Sequence, residues 1–311
     1  MKKLIPILSI VVLWPFAESW AQLAPPNAAG VSMGHIRIIA RDVEAEKKIW
    51  SGLGGTLIKV DGMDVVKFPG AFIFITQGVP TRAVAPGAGV MRITTEVSPD
   101  QEEGEGKPGL PQFATSYVPL NVNNEGNVIN HIAFRVQTGK GIIEKLQAQG
   151  VRVSLNQASL PDKADVFSTE YMRIETVQGT NQREPVVADH LHFDMPRFSR
   201  REALAWYAGA FGVKTKAEGE GMFGELPGLP GGLIFGQVVG DVEAPLPSMG
   251  YTLDRIGFEV VNLEAFCKKL VAMGIIFEYP YSKTRYPSFA SAGLTDPWGA
   301  AIELTEGLNR F

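Results

Sequence analysis

The chain has a single cysteine, Cys267, in 311 residues. An intrachain disulfide needs two, so no disulfide framework holds this protein and no thiolate zinc site is available to it. Cys267 lies in the helical pattern LEAFCKKL and reads as a small core residue. Basic charge is not in excess: 29 Lys and Arg stand against 33 Asp and Glu, for a net charge of −4. With no basic stripe, nucleic acid is not expected as a partner. Long apolar runs are missing too. The run Leu4 to Phe16 is too short to span a bilayer comfortably. It follows Lys2 and Lys3 and precedes Ser19-Trp20-Ala21, the order of an export signal and its cleavage site. Residues 1–21 are expected to be removed, leaving a periplasmic or secreted protein with no stable membrane span.

What the chain does have is enough apolar residue to build a core, 45% hydrophobic against 20% charged. That content is arranged as a repeat. Gly34-His35-Ile36-Arg37-Ile38-Ile39 alternates as a strand. A helix follows from Asp42, closed by Gly54 and Gly55, and then come short strands ending in AFIFITQ. The same β-α-β-β-β order begins again at Asn130-His131, at Asp189-His190 and at Asp254-Arg255. Val136 and Leu146 fall on Val260 and Leu270 when the second unit is laid on the fourth. On the closing strands, Glu175 matches Glu303 and Phe74 matches Phe235. The repeat is therefore expected as two copies of a two-unit block, residues 22–180 and 186–311. The first copy is interrupted at 79–128 by a Pro-, Gly- and acid-rich insertion, expected to be a structureless lid or solvated loop.

Strand alternation assigns faces. Arg37 shares a face with His35, and Arg135 shares one with His131. Tyr171, Arg173 and Val177 share a face with Glu175. Glu175 sits in the strand-like YMRIETVQ, where a buried carboxylate needs a partner.

A strand carrying an early histidine, a helix, three strands, the turn Asp296-Pro297-Trp298-Gly299 and the closing Ile302-Glu303-Leu304-Thr305-Glu306 together resemble the vicinal oxygen chelate superfamily. That group includes glyoxalase I, extradiol dioxygenases and bleomycin-resistance proteins. The resemblance implies an α+β protein of four βαβββ modules, forming two cup-shaped mixed sheets with flanking helices. It places His35, His131 and Glu175 at the metal positions of the first block, with a divalent cation, Fe(II) or Mn(II) and alternatively Zn(II). In the second block Arg255 stands where a ligand histidine should be. A guanidinium cannot ligate a metal, so this block is expected to be metal-free with an Arg255–Glu303 ion pair. His190 and His192 would then line a polar cup.

Within the first cup, Tyr171 and Arg37 are the candidate catalytic groups. Arg135, Arg173 and Tyr117 are the candidate substrate-binding groups, and three arginines suggest a small anionic molecule. The resemblance implies a metal-dependent, dioxygenase-like activity. The alternatives are a glyoxalase-like lyase or isomerase, disfavoured by Phe74 at a position that usually carries a ligand or base, and a non-catalytic binding protein. Pairing of two chains into a homodimer is left open.

Overall fold

The computed structural model describes residues 23–80, 90–97, 112–119, 126–155, 163–180, 182–196, 198–218, 221–237 and 244–311. The first module contains β1 (Val31–Ala40), α1 (Val43–Leu53), β2 (Thr56–Val60), β3 (Met63–Phe68) and β4 (Ala71–Gln77). Two strands of the insertion, β5 (Val90–Val97) and β6 (Gln112–Pro119), pair antiparallel as a small sheet of their own. The insertion is thus not wholly structureless. The second module has β7 (Ile129–Val136), α2 (Gly139–Ala148), β8 (Val153–Leu155), β9 (Lys163–Phe167) and β10 (Arg173–Gln178). The third has β11 (Val186–Met195), α3 (Arg200–Phe211), β12 (Lys214–Glu218), β13 (Gly221–Leu226) and β14 (Leu229–Gln237). The fourth has β15 (Leu253–Val260), α4 (Leu263–Ala272), β16 (Phe277–Ser282), β17 (Ala290–Thr295) and β18 (Ala301–Glu306). Among the described residues, no helix is long and apolar enough to cross a membrane.

The helices start and stop where local chemistry requires. The Asp42 side chain accepts from Ala45 N at 2.9 Å, and Gly54 ends α1 at φ 119°, a left-handed conformation that glycine adopts without strain. On α4, Leu263, Phe266, Cys267 and Leu270 recur at helical spacing and are buried.

The modules do not pair as the two-block reading expects. One eight-stranded sheet has the order β16-β17-β18-β15-β1-β4-β3-β2, joining modules one and four. The other has the order β12-β13-β14-β11-β7-β10-β9-β8, joining modules two and three. The physical reason is chain connection. Only residues 179–185 separate β10 from β11, and elements joined by a short link become neighbours. Modules one and two are separated by the whole insertion, which imposes no such adjacency. The division expected between 180 and 186 therefore falls inside a sheet, and β1 finds its antiparallel partner in β15 at the far end of the chain.

Each sheet has a helix-packed face and a cup face. Ile36 and Ile38, Ile132 and Phe134, Leu191 and Phe193, and Ile256 and Phe258 all point to the helix side and are fully buried in one cluster that runs through both sheets. A buried side chain of this size contributes about 1.5–3 kcal/mol. The residues between them face the cups. One expected equivalence shifts by a residue: Phe235 pairs beside Phe193 on the core face, whereas Phe74 pairs beside Arg37 on a cup face. The counterpart of Phe74 is Ile234, beside His192.

Candidate metal centre

In the sheet of modules two and three, β7, β10 and β11 run side by side, and each sends its cup-face residues to the same place. Glu175 lies beside Ala133 in the parallel β10–β7 pair, and His192 lies beside His131 across the antiparallel β11–β7 pair. A bulge at Asp189 sets His190 opposite Ala133, so that His190 also faces Glu175. His131, His190 and His192 bring their ring nitrogens within 4.8 Å of one another. Glu175 Oε2 is 2.8 Å from His131 Nε2 and 3.9 Å from His190 Nε2. Gly236 leaves the space that the His192 ring fills; a Cβ there would collide with it.

Neighbouring groups set which ring nitrogens face the cup. Asn130 Nδ2 donates to Asp194 Oδ2 at 2.7 Å, which turns Asn130 Oδ1 toward His131 Nδ1, also at 2.7 Å. The acceptor Asn130 Oδ1 favours a proton on Nδ1, whereas Glu175 Oε2, 2.8 Å from Nε2, favours one on Nε2. Asp189 Oδ2 accepts from His190 Nδ1 at 2.9 Å, which leaves the His190 Nε2 lone pair toward the cup. Arg135 holds the other Asp189 oxygen, Oδ1, at 2.5 Å. Burial, and then the charge of Arg173, hold His131 far below the ordinary imidazole range. The ring is therefore neutral at pH 7, the form that ligates metal.

This donor set fits a divalent cation. Atoms bound at about 2.1 Å to one ion lie about 3–4 Å apart, and the 3.9 Å between Glu175 Oε2 and His190 Nε2 is in that span. It is too long for a hydrogen bond. Two neutral imidazoles and a carboxylate can hold one face of an ion and leave positions open, with His192, partly exposed, as a further donor. A pocket of about 870 Å³ opens beside His190, with Arg135, Val177, Phe223 and Ile234 in its wall.

The expected triad is not brought together. His131 and Glu175 meet, but His35 lies in the other sheet, because module one pairs with module four. There His35 Nε2 bonds Glu303 Oε2 at 2.9 Å, and Arg37 Nη2 bonds the same oxygen at 2.9 Å. Tyr279 donates to Glu303 Oε1 at 2.7 Å, and Tyr286 approaches it at 3.2 Å. Burial opposes ionisation of Glu303, yet His35 and Arg37 outweigh it and hold the carboxyl well below its usual range. The expected Arg255–Glu303 pair does not form: Arg255 Nε bonds Asp254 Oδ2 at 2.8 Å. Phe74, Phe72, Phe289, Leu308 and Leu23 form an apolar cluster that fills this cup.

The other candidates divide in the same way. Arg173 and Arg135 do lie in the cup of modules two and three: Arg173 Nη2 contacts His131 Nδ1 and is 3.4 Å from its Nε2. Arg37 belongs to the filled cup and is fixed over the Phe74 ring at 5.0 Å. Tyr171 faces away from both cups. It precedes β10 in a turn with φ 62°, so strand alternation does not reach it, and its ring packs on Arg152 beside a hollow between α1 and α2. Tyr117 lies on β6 opposite Arg92, and its side chain lies outside the described residues. His190 was visible as a histidine but assigned to the wrong cup. The signal that could have corrected it is the shortness of the 179–185 link.

No protein-family model matches the chain, and no curated protein matches it. Solved structures do. One is a candidate dioxygenase from Bacillus subtilis, 12% identical, with a TM-score of 0.57 over 92% of this chain and 86% of that one. Another is glyoxalase I from Zea mays, 12% identical, with a TM-score of 0.56 over 90% of this chain and 94% of that one. The chain has the vicinal oxygen chelate fold. At this identity the likeness is one of architecture, and the chemistry of this protein rests on its own cup residues.

Proposed function

We propose that the chain is a metal-dependent enzyme of the vicinal oxygen chelate type, acting on a small molecule in the cup of modules two and three, by a dioxygenase-like reaction. The observation that carries this reading is the convergence of His131 Nε2, His190 Nε2 and Glu175 Oε2, with Asn130 behind the first imidazole and Asp189 behind the second. Fe(II) and Mn(II) suit two imidazoles and a carboxylate, and Zn(II) also accepts them. A bound cation supplies a Lewis-acid centre with positions for substrate and a small co-reactant. The chain's own residues do the rest. Asp189 holds His190 in the ligating tautomer, and Asn130 would hold His131 there when a cation is bound. Val177, Phe223 and Ile234 give the pocket an apolar wall.

A lyase or isomerase of this fold would take a base from the closing strand of the partner module. On β14 the cup-face residues are Gly232, Ile234 and Gly236, none of which moves a proton. That favours the dioxygenase-like reading. The test is metal content after anaerobic loading with Fe(II), Mn(II) or Zn(II), followed by oxygen uptake with catechol as probe. About one metal per chain, lost in His190→Ala, is expected, with catechol-dependent uptake for the Fe(II) form. Absence of any bound metal would remove the reading; ligand binding that survives chelation would put the binding-protein alternative ahead. Export to the periplasm or outside the cell is proposed with it, and sequencing the N-terminus of the mature protein checks it.

A further inference from the structure

His131 Nδ1 has two neighbours of opposite kind. Asn130 Oδ1, at 2.7 Å, is an acceptor and needs a proton on that nitrogen. Arg173 Nη2, in contact with the same nitrogen, is a donor and needs its lone pair. A neutral imidazole has one N–H, so it satisfies one neighbour at a time. When Arg173 holds Nδ1, the proton is on Nε2 and points at Glu175 Oε2, 2.8 Å away. That arrangement is closed and needs no metal. When Asn130 holds Nδ1, both Nε2 and Glu175 present lone pairs to the cup, and a cation is needed between them.

We infer that Arg173 and a divalent cation are alternative partners of the His131–Glu175 pair, and that metal entry moves the His131 proton from Nε2 to Nδ1 and releases the Arg173 guanidinium to an anionic group of the substrate. The inference rests on the metal-centre reading above. No net proton is gained or lost in the exchange. The displaced guanidinium has somewhere to go: Asp165, on the neighbouring β9, has a carboxylate oxygen 3.9 Å from Arg173 Nε, within reach of a small turn of the side chain. Two cations side by side then favour a ligand carrying an oxyanion, such as a carboxylate bound to the metal through one oxygen and to Arg173 through the other. The filled cup shows that an arginine can satisfy such a His–Glu pair without a metal. There Arg37 bonds the oxygen of Glu303 that also meets His35.

The test uses Zn(II), which is diamagnetic, and the nitrogen-15 spectrum of the His131 ring. In the metal-free parent, Nε2 is expected to carry the proton, and zinc should move it to Nδ1. Arg173→Met should show the Nδ1–H form before metal is added and bind zinc at least tenfold more tightly. Asn130→Ala should bind zinc at least tenfold more weakly. Opposite signs at one ring cannot come from general misfolding. Benzoate should bind the zinc-loaded parent at least tenfold more tightly than it binds either the metal-free parent or zinc-loaded Arg173→Met. An Arg173→Met variant with the parent's tautomer and no gain in zinc affinity overturns the inference, as does benzoate binding that ignores Arg173. A parent that takes up no zinc at all sinks the metal-centre reading instead.

Discussion

The two cups are built on one plan and lined by different groups. In the cup of modules one and four, the closing-strand glutamate is Glu303, fully enclosed by His35, Arg37, Tyr279 and Tyr286, and the rest of the cup is filled by phenylalanine and leucine side chains. In the cup of modules two and three, the equivalent Glu175 faces two histidines, and a pocket opens beside one of them, His190. The difference comes down to a few substitutions. Arg255 stands on β15 where His131 stands on β7, and Phe74 stands where Ile234 does. An internal guanidinium is fixed, cannot exchange and leaves no position for a ligand. A metal can be gained, lost and approached. One cup is thereby committed to holding the sheet together, and the other is available for chemistry.

The largest test of that contrast is stability. Glu303→Gln leaves Arg37 buried without its anion, and breaking a buried pair from one side costs about 3–5 kcal/mol. Urea unfolding of the chelator-treated protein should show this loss for Glu303→Gln and a clearly smaller one for Glu175→Gln. Equal losses would mean that both glutamates are structural. The second test is metal affinity. His190→Ala removes a ligand and should weaken zinc binding at least ~100-fold, near 2.7 kcal/mol by the usual conversion. His35→Ala should leave zinc affinity unchanged, since its ring belongs to the filled cup. A zinc defect in His35→Ala would reinstate the ligand set of His35, His131 and Glu175. Third, Asp189→Asn loosens the far side of His190 and should weaken zinc about tenfold, as groups that orient a ligand usually do.

Much of this was legible in the residues. The four module starts, the helix bounds at Asp42 and Gly54, and the cup faces of β1, β7 and β10 follow from periodicity and capping alone. Glu175 and His131 as one pair follow from the match to Glu303 and from alternation. The pairing of modules was not legible in the repeat, because each module's first strand is equally able to pair with any other. Connection length decides it, and the seven residues between Gln178 and Val186 were the deciding ones. Tyr171 was misplaced because a left-handed residue just before β10 breaks the alternation that assigned its face. The enclosure of Glu303 by Tyr279 and Tyr286 could not be read at all. Those tyrosines come from β16 and the loop after it, and only the three-dimensional closure of the sheet brings them to β18.

The smallest expected effect is also the one that compares the two histidine environments directly. Burial lowers the pKa of His35, and burial together with the Arg173 charge lowers that of His131 further below its ordinary value. A histidine whose folded pKa is depressed binds fewer protons folded than unfolded at any pH between the two values. By linkage, its site is neutral toward stability above about pH 6.5, and stability falls as the pH drops below that point, until the folded pKa is passed. Both rings should therefore make the metal-free protein acid-sensitive below pH 6.5. His131→Gln should flatten that slope more than His35→Gln, because its shift is the larger. Glu303 adds a separate loss at lower pH: its carboxyl is held below the usual range, so its contribution is complete above about pH 4.5 and disappears as the pH falls through the folded value. Chelator-treated protein unfolded in urea at a series of pH values resolves the two windows. Added zinc should deepen the slope assigned to His131 and leave that of His35 alone, because protons and metal compete for the first ring, whereas the second already bonds Glu303 beside Arg37 and Arg255. A zinc-dependent change in the His35 window would show that the filled cup still exchanges its cation.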